Sequence, residues 1–367
     1  MPAAAPPASS EAGRPARVMI IDDSAVVRGL FTRWIEGQAD LALAGSAADG
    51  AQGVAKIASL DPDLVVLDIE MPVMGGLEAL PKLLAARPGV RVVIASSLSH
   101  KGAEVTLRAL ELGAADYIAK PEAGRLGGAD AYRDELLGKL RALAPRGAAA
   151  RGAVAPVRAP ASDVRLRPLP QPLVRPEILA VAASTGGPQA LREFLTALDG
   201  AWTGPIVAVQ HMPPTFTTLL AEQLGRVSPA PAVEAQEGMP LLPGRVHLAA
   251  GDFHMRVRRA GAQYALALDQ TPPENFCRPA ADPLFRSVAE LFGPRALAVV
   301  LTGMGSDGRE GARAITGAGG VALAQDEASS VVWGMPGAVA GAGLASLLGP
   351  VPALARAVRA LARGERP

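Results

Sequence analysis

Two groups of side chains in this 367-residue sequence are of the types that do chemistry, and they lie in opposite halves. The first is acidic with one cation: Asp22-Asp23, Asp68 and Lys120-Pro121, each following a short apolar run. Two adjacent carboxylates and a third from a neighbouring strand suit a hard divalent cation, because Mg²⁺ takes oxygen ligands and keeps several of its waters. A nearby ammonium completes a site where metal and lysine offset phosphoryl charge while a carboxylate attacks phosphorus. Singly, each acid is ordinary, since Asp is common where strands end. The ordered set, with Ser96 after a further run, carries the reading.

The second group supplies a hydroxyl, an imidazole and a carboxylate. A serine becomes a useful nucleophile when a base takes its proton and a third group orients the base. Ser184 follows ILAVAA and precedes Thr185-Gly186-Gly187-Pro188, a strand entering a tight turn and a helix opened by proline. That geometry exposes a serine at the top of a sheet, as in nucleophile elbows. The same residues also fit a phosphate-binding turn, or a helix cap by Ser184 or Thr185. Of four histidines, His211 follows PIVAVQ directly and shares the carboxyl edge with Ser184. His254 in GDFHM competes with it, His247 in RVHLAA reads as structural, and His100 as a surface residue. Asp307 and Asp326 both fall at strand ends, and spacing alone does not separate them as the orienting acid.

The elements that position these residues alternate through both halves. The runs VMII (18–21), LALAG (41–45), LVVL (64–67), VVIA (92–95) and DYIA (116–119) are separated by amphipathic stretches. Five strands alternating with helices predict a parallel sheet covered on both faces, with working residues at the carboxyl ends of its strands. The alternation resumes with ILAVAA (178–183), PIVAVQ (205–210), ALAVVL (296–301) and GVALAQ (320–325). Between Val233 and Asp269, Gly244, Gly251 and Gly261 separate short runs, which predicts antiparallel hairpins. The expected architecture is therefore α/β twice over. A five-stranded parallel sheet comes first, then a doubly wound hydrolase domain with a mostly parallel sheet and an antiparallel hairpin.

The boundaries follow from composition. Residues 1–16 read as a disordered tail without a signal peptide's apolar core, 17–143 as the first domain and 177–360 as the second. Residues 144–176 are a linker: Pro145 to Pro176 holds seven prolines and six arginines against the single acid Asp163. A net charge of +1 predicts neither nucleic-acid nor membrane-surface binding through bulk electrostatics. Cys277 is the only cysteine, which excludes an intrachain disulfide and a thiolate metal cluster and fits a reducing cytosol. Ala328 to Ala355 carries no charge over a length that could span a bilayer. Eight glycines and prolines interrupt it, so a buried strand, turn and helix is expected instead.

Residues 17–121 resemble a response-regulator receiver domain of flavodoxin-like fold, carried by IIDDSAVVR, VVLDIEMPVMGGLEAL, VVIASSL and LGAADYIAKP. The resemblance implies that Asp68 accepts phosphate from a histidine kinase. Mg²⁺ would be held by Asp22, Asp23, Asp68 and the Glu70 backbone carbonyl. Ser96 and Lys120 would hold phosphoryl oxygens, Tyr117 would report the switch, and Lys120-Pro121 matches a cis-proline position. Residues 177–350 are similar to the chemotaxis protein-glutamate methylesterase family through STGGP, QHMPPTFT, LPGRVHLAAGDFHM, LTGMGSDG and AQDEASSVVWGMP. That resemblance implies Ser184 as nucleophile, His211 as base and Asp307 as the orienting acid. The Met304 amide would serve the oxyanion and Thr185 would support His211. Ala182 and Ala250 depart from the family's glycine and proline, and Cys277 stands where histidine is usual before Arg-Pro.

The implied activity is hydrolysis of glutamate methyl esters on the cytoplasmic helices of methyl-accepting chemotaxis receptors, releasing methanol, with glutamine deamidation by the same machinery. The enzyme would be cytoplasmic, use no cofactor in the hydrolase step and insert in no membrane. Its receiver would cover the hydrolase groove until phosphorylated. The rival reading is a non-catalytic binder that competes for kinase phosphate, but a binder has no need of Ser184, His211, Asp307 and the Gly303-Met304-Gly305 turn together.

Overall fold

The computed structural model describes residues 14–97, 99–120, 128–145 and 164–367. The chain forms two compact units, each built on its own sheet. In the first, β1 (Ala16–Ile21), β2 (Leu41–Ala47), β3 (Leu64–Asp68), β4 (Arg91–Ser96) and β5 (Asp116–Ala119) lie in the order β2-β1-β3-β4-β5, all parallel. Helices α1 (Ala25–Glu36), α2 (Gly50–Leu60), α3 (Gly76–Ala86), α4 (His100–Glu111) and α5 (Gly128–Leu143) alternate with them. Every residue of β3 is buried, which is why the strand reads as an unbroken apolar run. Ile21 pairs with Leu67 in register, so Asp22 and Asp68 emerge side by side. Ser24 caps α1 by accepting from the Val27 amide at 3.3 Å, which fixes the turn that carries Asp22 and Asp23.

The second unit holds β6 (Ile178–Ala183), β7 (Ile206–Gln210), β8 (Ala232–Glu234), β9 (Val246–Leu248), the pair β10 (His254–Ala260) and β11 (Gln263–Asp269), then β12 (Ala296–Val300), β13 (Val321–Gln325) and β14 (Leu347–Gly349). Its helices are α6 (Gly187–Leu198), α7 (Pro214–Val227), α8 (Ala281–Phe292), α9 (Arg309–Gly317), α10 (Met335–Gly341) and α11 (Val351–Ala362). The main sheet runs β14-β13-β12-β6-β7-β9-β8, with parallel pairing throughout. The chain begins at β6, winds outward through β7, then crosses back to β12 on the other side. Strand order therefore reverses at β6, and the crevice beyond the carboxyl ends of β12, β6 and β7 is where such sheets bind ligands.

The expectation of several hairpins over 233–269 is corrected in part. Strands β10 and β11 form one antiparallel hairpin, turning through Gly261 and bridged by Pro240 at Ala265, whereas β8 and β9 pair in parallel at the sheet edge. Three-residue strands are too short to show periodicity, and their glycine-rich flanks imitate hairpin turns. The uncharged stretch 328–355 folds as α10, β14 and the start of α11. No helix among the described residues is long and apolar enough to cross a membrane. Residues 164–176 form no helix or strand, and Arg167 fastens this segment through its amide to the Ala345 carbonyl (2.8 Å) and its guanidinium to the Thr316 carbonyl (3.2 Å). Most of the tail, the linker residues 146–163 and Pro121 lie outside the described residues.

Candidate functional site

In the first unit, carboxylate oxygens of Asp22, Asp23 and Asp68 lie within 4.8 Å of one another. Asp22 and Asp68 are buried and Asp23 is exposed. Lys120 Nζ reaches Asp68 Oδ2 at 2.8 Å and Asp22 Oδ2 at 3.2 Å. Ser24 N donates to Asp22 Oδ1 (2.9 Å) and Ile69 N to Asp68 Oδ1 (2.7 Å). Burial lifts the Asp68 pKa, and Lys120 only partly opposes it. Burial disfavours the Lys120 ammonium, but Asp68 and Asp22 outweigh it and raise that pKa. Three carboxylates facing one ammonium leave a surplus of negative charge on converging oxygens, a donor set that fits Mg²⁺. Ser96 is buried at the end of β4, and Ser96 pairs with Ala119, the residue before Lys120. Tyr117 is buried, with Lys139 Nζ 5.0 Å from its ring centroid and 3.1 Å from Asp116. Glu70 is exposed just beyond Asp68.

In the second unit, Ser184, His211 and the Thr302–Asp307 loop leave the carboxyl ends of β6, β7 and β12, the three strands at the reversal of order. Ala183 pairs with Gln210, so Ser184 and His211 occupy the next position on neighbouring chains, and His211 N donates to the Ala183 carbonyl (3.2 Å). His211 Nε2 bonds Asp307 Oδ2 at 2.7 Å, while its Nδ1 is buried without a partner. Asp307 accepts three further hydrogen bonds: Ala281 N on Oδ2 (2.5 Å), then Asp282 N (3.1 Å) and Asn275 Nδ2 (3.0 Å) on Oδ1. Burial favours a neutral Asp307, but His211 and these donors prevail and lower its pKa. Burial disfavours the His211 imidazolium, yet Asp307 and the neighbouring Cys277 carry its pKa up to about 10.

The turn after β12 is tightly constrained. A Cβ on Gly303 would sit 2.3 Å from Met335 Sδ and 2.9 Å from Ser184 Cβ, so only glycine lets this loop pass behind the serine. Met304 is then presented outward, 43% exposed as a residue. Gly305 turns the chain with φ +83°. Thr185 is buried, and its carbonyl takes the Thr302 hydroxyl at 2.9 Å. Helix α6 begins at Gly187 with Pro188 in its first turn, and Gly186 at the cap makes no side-chain bond. Neither Ser184 nor Thr185 is therefore the N-cap residue.

The competing residues are occupied elsewhere. His254 is buried, with Nε2 at 3.2 Å from the Pro272 carbonyl and Nδ1 accepting from Ala280 N (3.2 Å). Asp326 Oδ1 accepts from the Ser329 amide and hydroxyl. His247 is fully buried and accepts from Leu242 N, and burial depresses its pKa to about 4. His100 is exposed beside Glu104. Three residues that motifs did not single out belong to the site. Asp282 is buried, accepts from Gly311 N (2.6 Å) and Asn275 Nδ2 (2.9 Å), and burial with Asp307 nearby raises it to about 6. Asn275 thus bridges two carboxylates. Gln210 Nε2 donates to the Ser184 carbonyl (2.9 Å) and fastens the serine turn to β7.

Two doubly wound units, one ending in an acidic cluster and the other in a serine beside a histidine–aspartate pair, define a receiver coupled to an α/β hydrolase. Residues 18–126 match the response regulator receiver domain, and residues 179–358 match CheB methylesterase. The chain belongs to the CheB methylesterase family. It is 55% identical to the protein-glutamate methylesterase/protein-glutamine glutaminase 2 of Caulobacter vibrioides, over 91% of this chain and 95% of that one. It is 51% identical to the protein of the same description, without the number, from Maricaulis maris, over 92% and 94%. Among solved structures, the catalytic domain of Thermotoga maritima CheB methylesterase aligns with a TM-score of 0.50 at 37% identity, covering 51% of this chain and all of that domain.

Proposed function

We propose that the protein removes methyl esters from glutamate side chains on the cytoplasmic helices of methyl-accepting chemotaxis receptors, and deamidates glutamines there, under control of phosphorylation at Asp68. The observation that carries the chemistry is the buried Nδ1 of His211, outside hydrogen-bond geometry although Cys277 neighbours the ring, one position across the sheet from Ser184, on an imidazole whose other nitrogen Asp307 holds. That leaves one nitrogen able to take the Ser184 proton.

With His211 neutral, Nδ1 removes the hydroxyl proton as Ser184 Oγ bonds to the ester carbonyl carbon. The oxyanion lies toward the Met304 amide, held outward between Gly303 and Gly305. Collapse breaks the bond to methoxide, which leaves as methanol with the proton from His211. Water, deprotonated by the same nitrogen, then cleaves the acyl-enzyme and leaves a free carboxylate. A glutamine side chain follows the same path and loses ammonia. Asp307 keeps its negative charge throughout and stabilises each imidazolium, while Thr185 backs the serine turn through Thr302.

In the receiver, the Asp68 carboxylate takes a phosphoryl group from a histidine kinase, breaking the phosphorus–nitrogen bond of the donor. Asp22, Asp23, Asp68 and the Glu70 carbonyl would hold Mg²⁺, which supplies charge neutralisation on the phosphoryl oxygens. Lys120 and Ser96 take the remaining oxygens, and Lys120 exchanges its present pairing with Asp68 for one with the phosphoryl group. Tyr117 and the residues around Ser96 then repack, which releases a restraint on the hydrolase.

The test is methanol release from methylated receptor membranes by the full-length protein, with Mg²⁺ and a small-molecule phosphodonor added or withheld. Release that rises with phosphodonor and vanishes in Ser184→Ala supports both halves of the reading. Release that survives Ser184→Ala eliminates the assigned nucleophile, and the absence of release under every condition favours a non-catalytic binder.

A further inference from the structure

Asn275 and Phe276 both have positive φ, +52° and +64°, and lie between Glu274 and Cys277, whose backbones exchange hydrogen bonds of 3.1 and 3.0 Å. This is the geometry of a tight mirror-image turn, where glycine, asparagine and aspartate are favoured and a bulky aromatic is strained. Asparagine fits the first position and also puts Nδ2 on Asp307 and Asp282. Phenylalanine fits the second poorly. It is held there because the turn is braced at its base, where Arg286 grips Glu274 through two bonds of 2.6 and 2.7 Å. The residue is 103% exposed, so its ring gains nothing from packing in the free protein. Of the exposed large apolar side chains among the described residues, Phe276 and Met304 are the two tied to the site: one follows Asn275, the other precedes Asp307 by three residues.

We propose that Phe276 is a substrate-docking residue, an apolar anchor for the hydrophobic face of the receptor helix that carries the esterified glutamate. The inference rests on the function proposed above and adds a determinant of which helix is accepted. An ester borne on a helix must bring neighbouring turns of that helix to the rim of the crevice. A rigid aromatic on a braced turn immobilises few rotamers when it is covered, which favours it as an anchor. The chemistry itself needs no such group, so Phe276 acts on binding and leaves the bond-breaking steps alone.

Phe276→Gly separates these effects, because glycine prefers the positive φ of this position and relieves strain rather than adding it. The full-length protein, with Mg²⁺ and phosphodonor, is assayed on methylated receptor membranes and on the γ-methyl ester of a single blocked glutamate. The expected result is a KM for receptor raised about tenfold in Phe276→Gly and restored in Phe276→Leu, with kcat and small-ester hydrolysis unchanged. An unchanged receptor KM overturns the docking role, as does an equal loss on the small ester, which would place Phe276 in the catalytic geometry. If the unsubstituted protein releases no methanol from receptor, the parent function fails and this inference with it.

Discussion

Asp307 accepts four hydrogen bonds, and two of them come from main-chain amides at the start of α8. The carboxylate is therefore fixed before substrate arrives, and its charge bears on both His211 and Asp282. Because the His211 pKa is raised to about 10, the proton on Nδ1 persists well above the ordinary histidine range. In the proposed mechanism the reactive species has lost that proton, so kcat/KM should climb with pH through an alkaline limb. Cys277→Ala removes one contributor to the raised pKa and should move the limb to lower pH; a pH–rate profile of both proteins checks this. Asn275→Ala leaves two buried carboxylates facing each other without the bridging amide. We expect kcat to fall roughly 10- to 100-fold, with a displaced pH profile that a merely structural loss does not produce. Ser184, His211 and the choice between Asp307 and Asp326 drew on strand ends and the family motif. Asn275 and Asp282 escaped because they lie 32 and 25 residues before Asp307, in a turn and a helix start without periodic signal.

At the scale of elements, the strands were legible almost to the residue, since a parallel strand buried on both faces leaves an unbroken apolar run. The short edge strands β8 and β9 were not, because three residues cannot display a period. What places the site is the reversal of strand order at β6, a long-range feature that no local pattern records. Close packing behind Ser184 makes that placement fragile. Gly303→Ala puts a methyl against Ser184 and Met335, and we expect overpacking of about 1–3 kcal/mol in thermal unfolding together with a large loss of kcat. His247 in β9 gives an acid-stability prediction. Its folded pKa of about 4 lies below the unfolded value near 6.5, so between these limits the unfolded chain binds more protons and stability falls as pH falls. We expect about 2 kcal/mol to be lost across that window in urea titrations, and less in His247→Gln.

At the scale of the whole chain, two units of the same class carry unrelated chemistry at the carboxyl ends of their strands. Composition and alternation disclosed both units, and residues 146–163 between them carry no pattern that could say how one controls the other. If the receiver restrains the hydrolase, a chain beginning at Glu177 should release methanol faster than unphosphorylated full-length protein, and Asp68→Asn should abolish stimulation by phosphodonor while sparing basal release. Equal rates for the short and full-length chains would rule out restraint by the receiver.

The single thiol of this chain turns the candidate active site into its own reporter. Cys277 is free, half-buried and next to His211 in the turn that carries Phe276. A thiol-directed dye therefore has one address in the protein, and no cysteine needs to be removed or introduced to use it. The speed with which that dye attaches, with and without phosphodonor or receptor, reads how open the crevice is in each state, independently of whether any ester is cleaved.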